Sequence, residues 1–238
     1  MGSEATAVGV EASGLTLLDI VKHAAKTIIN TLNENDRLSI VSYSNNAETL
    51  FDLIPMNNVG KENAIALLCT LEPDGMTNLW DGLNTGLNVL KNRVPVASKN
   101  NFGDNNNTDS TATTNTTSTQ NTTSNTLTTH YHNNASLLLL TDGEPNVEPP
   151  RGYLPMLKKY KKQNNGVFPG IINTFGFGYS LDSKLLNEIA IEGNGIYSFI
   201  PDSGFVGTAF VNSLANILST VTSDAQLCIQ LNPTSGAR

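Results

Sequence analysis

The sequence predicts a doubly wound α/β fold, a mostly parallel sheet flanked by helices, on three observations. Several segments carry apolar residues at helical spacing, helix-like and strand-like segments alternate along the chain, and residues 135–140 and 171–177 are largely apolar without alternation. Unbroken apolar runs of that length suit strands covered on both faces of a parallel sheet, and the alternation implies right-handed crossovers between them. In such sheets ligands bind beyond the carboxyl ends of the strands, so the residues that follow each strand are where function is sought.

Taken in order, residues 1–14 are small and polar and form a flexible N-terminal segment without the charged and apolar regions of a signal peptide. Residues 15–32 place Leu18, Val21, Ala25, Ile28, Ile29 and Leu32 on one helical face, and Asn33-Glu34-Asn35-Asp36 stops that helix. Residues 37–43 and 48–54 read as two strands close enough to form a hairpin. Residues 60–71 and 78–90 read as amphipathic helices, the second with Leu79, Leu83, Leu87 and Leu90 along one side. Residues 99–134 are nearly all Asn, Thr and Ser. With almost no aliphatic side chain to offset the entropy of ordering, they form a disordered surface insertion whose closure cost grows slowly with length. After it come a strand at 135–140, a basic-faced helix at 153–162, a strand at 171–177, a helix at 183–191 closed by Gly193, a strand at 195–200 and a helix at 205–221. One domain therefore spans 15–221 around the insertion. Residues 222–238, alternating like a strand from 225 to 231, are a tail or the start of a following module.

Composition narrows the function classes. The 238 residues carry a net charge of −7, so the surface repels phosphate backbones and nucleic acid is excluded as a general partner. No apolar run is long enough to span a bilayer, and the reading is a soluble, cytoplasmic protein. Sequons at Asn106, Asn115, Asn121 and Asn134 arise by chance in so Asn/Thr-rich a stretch. Cys69, beside the apolar run 64–68, and Cys228, in the strand-like tail, read as two buried free thiols, and there is no C-x-x-C or zinc-like cluster.

Two loops carry candidate chemistry. Asp142 follows four leucines and precedes Gly143, which puts a carboxylate at the carboxyl end of a buried strand, either as a ligand group or as a cap of the next turn. Asp74-Gly75-Met76-Thr77-Asn78 leads into the third helix. Thr77 or Asn78 caps that helix, or the Thr77 hydroxyl pairs with Asp142 in a small oxygen site suited to Mg²⁺ or Ca²⁺. Elsewhere bland readings prevail. His23 is a surface or half-buried helix residue, the His130–His132 pair is not a metal site, Lys158-Lys159-Tyr160-Lys161-Lys162 is a solvated face, and Trp80 is core.

In combination the motifs resemble the von Willebrand factor type A family. The resemblance rests on Asp36-Arg37-Leu38-Ser39-Ile40-Val41-Ser42-Tyr43, on Asp74-Gly75-Met76-Thr77-Asn78-Leu79, on Leu137-Leu138-Leu139-Leu140-Thr141-Asp142-Gly143 and on Ile172-Asn173-Thr174-Phe175-Gly176-Phe177-Gly178, in that order. It is similar in flavour to intracellular, plant-like chains that pair this domain with a RING or U-box ubiquitin-ligase module, although no RING or U-box Cys/His pattern occurs here. The resemblance implies a Rossmann-like sheet and a non-catalytic protein-interaction domain. It also implies a metal-ion-dependent adhesion site built from an Asp-x-Ser-x-Ser motif after the first strand, a Thr in the second loop and an Asp after the fourth strand. Thr77 and Asp142 take the second and third positions, and the ion would keep an open place for an acidic side chain of a protein partner. Asn78, Gly143, Glu144, Phe177 and Tyr179 would lie along the same edge. The first motif has no counterpart, because the chain opens at Met1-Gly2-Ser3 as though just after it. The expectation is therefore a truncated chain without its first strand and with an incomplete metal site. Mg²⁺ or Ca²⁺ would be bound in a full-length parent and weakly or not at all here. The alternatives are an Asp142-dependent hydrolase or phosphotransferase, against which stands the lack of any P-loop, dinucleotide fingerprint or nucleophile elbow, and a fragment without function of its own.

Overall fold

A computed structural model of the chain describes residues 16–93, 134–201 and 203–220. The N-terminal segment, the bulk of the Asn/Thr-rich insertion, His130, His132, Cys228 and the C-terminal tail lie outside the described residues. In chain order the elements are α1 (Leu17–Thr31), β1 (Arg37–Tyr43), β2 (Ala47–Pro55), α2 (Asn58–Cys69), α3 (Leu79–Lys91), β3 (Ser136–Thr141), α4 (Tyr153–Gln163), β4 (Ile171–Phe177), α5 (Ser183–Glu192), β5 (Tyr197–Ile200) and α6 (Ser203–Ser219).

Local chemistry sets the helix starts. Thr16 and Asp19 form a reciprocal capping box at α1, while Asn57, Asn78 and Asp182 cap α2, α3 and α5 with side-chain oxygens. β1 and β2 form the expected antiparallel hairpin, with irregular register around Ile40. β3, β4 and β5 form a parallel ladder in that order, with Leu139 opposite Thr174 and Phe175 opposite Ser198.

The core has two halves, one on each face of the strands. Helices α1, α2 and α6 pack with Phe175, Phe177 and Ile200, and the half-buried Leu38, Ile40, Leu138 and Leu140 lie against them. Helices α3, α4 and α5 pack with Leu137, Leu139 and Ile172. Successive β3 leucines thus enter opposite halves, as the two-residue period of a strand requires. Close approach of α5 to β4 needs Gly193, where a Cβ would stand 2.4 Å from the Ile172 Cβ. Among the described residues no helix is long and apolar enough to cross a membrane.

Four expectations change. β4 is almost wholly buried, but β3 is buried only at alternate positions. The reason is that, among the described residues, β4 has ladder partners on both sides, whereas β3 is bonded to β4 and shares no ladder with β1. Cys69 is exposed, not buried. The buried stripe of α2 runs Gly60, Ala64, Leu68, and one further residue turns about 100° away from it. Phe177 is 1% exposed and belongs to the core, which removes it from any partner surface. Trp80, expected in the core, is half-buried against the α3–α5 side.

Candidate functional site

The carboxyl ends of β3, β4 and β5 lie side by side, with Thr141 opposite Gly176 and Phe177 opposite Ile200. At the end of β3 the buried Thr141 hydroxyl donates to the Gly143 carbonyl at 3.1 Å and accepts the Gly143 N–H at 3.4 Å. That turn sets Asp142, half-buried, at the strand end.

Thr77 is held against this turn by amide side chains. Asn146, four residues past Asp142, accepts the Thr77 N–H at 2.8 Å through its Oδ1, and its own N–H donates to the Thr77 carbonyl at 3.3 Å. Behind the loop, Asn45 accepts the Met76 N–H at 3.2 Å, and Gly75 lies over the Asn45 amide at φ +62°, a conformation that favours glycine. The Thr77 hydroxyl consequently faces Gly143: a Cβ on that glycine would be 3.9 Å from Thr77 Oγ1. The two predicted ligand loops are therefore neighbours.

Asn78 has a structural job. Its Oδ1 accepts the Asp81 N–H at 3.2 Å, its Nδ2 donates to the Asn45 carbonyl at 2.9 Å and its N–H donates to the Ser44 carbonyl at 2.8 Å. Asp81 in turn accepts the Ala47 N–H at 2.6 Å, fixing the start of α3 to the β1–β2 turn. Of the other residues expected on the edge, Glu144 is exposed, Gly143 is half-buried in its turn, and Tyr179 is 77% exposed. Tyr179 packs edge-on against Phe199 with ring centroids 5.5 Å apart.

Tyr43 was not singled out from the sequence. From the end of β1 its hydroxyl donates to the Leu140 carbonyl at 2.6 Å, and its ring lies on α3, where a Cβ at Gly82 would stand 2.7 Å away. Burial raises its ionisation far above the ordinary phenol value, and the Asp142 carboxylate pushes the same way. Asn45 and Asn146 were also missed, since a loop asparagine carries no periodic signal.

A doubly wound α/β domain with a threonine loop and an Asp-Gly turn meeting at the carboxyl edge of its parallel strands is the architecture in front of us. The chain belongs to the von Willebrand factor type A domain family, which matches residues 3–144. It is 23% identical to the Escherichia coli uncharacterized protein YfbK over 91% of this chain and 31% of that protein. It is also 23% identical to human inter-alpha-trypsin inhibitor heavy chain H3, over 85% of this chain and 20% of that protein. It therefore spans a third or less of these relatives. Among solved structures, the von Willebrand factor type A protein of Catenulispora acidiphila superposes with a TM-score of 0.61 at 16% identity, covering 84% of this chain and 38% of that one. Mussel byssus proximal thread matrix protein 1, with zinc in its adhesion-site motif, superposes at 0.51 and 14% identity, covering 89% of this chain and 42% of that one. These likenesses show the fold.

The described residues supply a divalent ion with the Thr77 hydroxyl and the Asp142 carboxylate. A hard cation takes about six oxygens, and among the described residues no three His, Cys, Asp or Glu side chains cluster. Thr77 and Asp142, as the two donors among the described residues, are fewer than a tightly held hard cation takes. The described histidine, His23, is exposed on α1.

Proposed function

We propose that this chain is a non-catalytic protein-interaction domain with a degenerate adhesion site, and that its partner docks on the carboxyl edge of the parallel strands. The observation that carries the reading is the clamped pair of loops. Thr77 and the Asp142-Gly143 turn are held together by backbone-directed hydrogen bonds from Asn146, with exposed Glu144 on the same turn. Preorganised polar groups at a strand-end crevice bind without first paying for loop ordering. Tyr179 and Phe199 supply an aromatic anchor on the same edge, the kind of residue that dominates interface energy. The carboxylates of Asp142 and Glu144 favour a basic contact on the partner in the absence of an ion, where an ion-loaded relative would favour an acidic one. We place the chain in the cytoplasm and in the RING/U-box-associated branch on the strength of its four motifs.

Photo-crosslinking in cells tests the reading. A crosslinker at position 144 or 179 is expected to trap a discrete partner that one at Glu62, exposed on α2, does not trap. Trapping from position 62 with none from the edge overturns it. Ubiquitin-ligase components among the trapped proteins would support the branch assignment, and their absence would count against it.

A further inference from the structure

Two turns of the chain carry the same dipeptide in the same backbone conformation. Asn165-Gly166 follows α4 and Asn194-Gly195 follows α5, and these are the Asn-Gly pairs of the sequence. Both asparagines are exposed and sit at φ +58°, the left-handed region that asparagine tolerates at a helix end. Each following glycine donates its N–H back to a helix carbonyl, Gly166 to Lys161 at 2.9 Å and Gly195 to Ala190 at 2.8 Å.

The surroundings of the two turns differ. A Cβ at Gly166 would meet nothing within 4 Å, and Val167 beside it is exposed. The Lys161 carbonyl also takes the Asn164 N–H, at 3.0 Å, so it keeps a donor when Gly166 swings away. Gly195 is wedged against β4, where a Cβ would stand 2.0 Å from the Ile172 carbonyl oxygen. Bonds to β4 hold the chain on either side of that pair. The Ile172 N–H donates to the Gly193 carbonyl, the Ile196 N–H to Asn173 Oδ1 and the Thr174 N–H to the Ile196 carbonyl, each at 3.0 Å. Ala190, whose carbonyl holds the Gly195 N–H, is buried. Releasing Gly166 thus costs one solvent-facing hydrogen bond, whereas releasing Gly195 pulls the approach to β5 away from β4.

We propose that Asn165 is a site of spontaneous deamidation and that the fold withholds Asn194 from the same reaction. The co-reactant is water. Once the turn opens, hydroxide removes the Gly166 amide proton and the nitrogen attacks the side-chain carbonyl carbon of Asn165. The new N–Cγ bond closes a five-membered imide, the Cγ–Nδ2 bond breaks, and the side-chain amide leaves as ammonia after taking a proton from water. Water then opens the imide at one of its two carbonyls, giving aspartate or isoaspartate with no change of oxidation state. Glycine makes the nitrogen accessible, because it has no Cβ to crowd the attack, and every other asparagine of the sequence is followed by a residue with a side chain. The product sets a new carboxylate at the end of a helix that carries Lys158, Lys159, Lys161 and Lys162 and no acidic residue. The isoaspartate form also lengthens the main chain at the turn, which ends the left-handed cap, and it offers a carboxyl group of the kind that isoaspartyl methyltransferases esterify. This turn precedes β4 and lies away from the carboxyl edge, so the proposal stands apart from the edge-docking reading.

The full chain is aged at neutral pH in heavy-oxygen water, digested in ordinary water and mapped by mass spectrometry, with isoaspartate read by enzymatic carboxyl methylation. In the folded chain Asn165 is expected to take up heavy oxygen about ten-fold or more faster than Asn194, following the ratio of their opening equilibria. In denaturant the two should react at similar rates, since the dipeptide is the same. Hydrogen exchange read at single amides should be faster at Gly166 than at Gly195. Asn165→Gln should abolish uptake at that position and leave Asn194 as it was. Equal rates at the two sites in the folded chain, both inert included, or a faster Asn194 overturns the proposal. So does a rate difference that persists in denaturant, because the local sequence and not the fold would then set it.

Discussion

Replacing Tyr43 by Phe removes one oxygen atom and leaves the ring on Gly82, so neither a cavity nor a packing change accompanies it. What is lost is the 2.6 Å bond to the Leu140 carbonyl across 97 residues of chain. A net intramolecular hydrogen bond contributes about 1 kcal/mol, and an acceptor left without its partner adds to the loss when water cannot reach it. The hydroxyl here is partly buried, so the sum is about 1–2 kcal/mol. For a domain of this size that lowers the melting temperature by roughly 3–6 °C. A second signature is more specific. The phenol proton is bound more tightly in the folded than in the unfolded chain, because burial disfavours the phenolate. That contribution is therefore fully present below the unfolded value of about 10 and is lost as pH rises from there toward the folded value. Urea titrations of wild type and Tyr43→Phe at pH 7, 9, 10.5 and 11.5 read both effects. The wild type should lead at pH 7 and 9, and its lead should shrink above pH 10. A variant as stable as wild type at pH 7, or a gap that stays constant through pH 11.5, would refute the role given to this hydroxyl.

Other consequences can be checked directly. Asn146→Ala should cost about 0.5–1.5 kcal/mol and speed hydrogen exchange at the Thr77 amide, with the circular dichroism of the helices unchanged. Phe177→Ala should cost about 3–5 kcal/mol in chemical denaturation, whereas Tyr179→Ala should stay within about 0.5 kcal/mol and act on partner capture alone. Gly193→Ala should destabilise by about 1–3 kcal/mol, since Ile172 has to move to admit the methyl. Exchanging EDTA for millimolar Mg²⁺ should change stability by less than about 0.4 kcal/mol, the gain from a ligand no more concentrated than its dissociation constant; a larger rise in the melting temperature would restore a metal site to Thr77 and Asp142.

Much of the fold was legible because burial writes itself into periodicity. The stripe Leu18, Ile28, Ile29, Leu32 marked α1, and Leu79, Leu83 and Leu87, all buried, marked α3. The unbroken run of leucines located β3 but overstated its burial, for a run of one residue type says nothing about which strand edges are occupied. Cys69 and Phe177 fail for opposite reasons. Cys69 adjoins an apolar run yet lies one step off the buried stripe of α2, and Phe177 ends a strand yet still points inward, where it lies 6.1 Å from the Phe210 ring.

The site was legible in its donors and not in its assembly. Thr77 and Asp142 are the residue types that a strand-end oxygen site needs, and their loops do meet. The groups that make them meet are Asn45 and Asn146, acting over 31 and 69 residues of sequence, and such amides look the same in a sequence whether they clamp a site or coat a loop. This division has a physical basis. Apolar residues fix elements through many weak contacts whose spacing repeats, while a loop is fixed by a few directional bonds with no repeat to detect. It also explains how the edge keeps a preorganised shape with Thr77 and Asp142 as its cation ligands among the described residues. The shape comes from main-chain N–H and C=O groups held by asparagine side chains, so a partner that reads loop geometry and the Asp142–Glu144 charge would still find its surface without an ion.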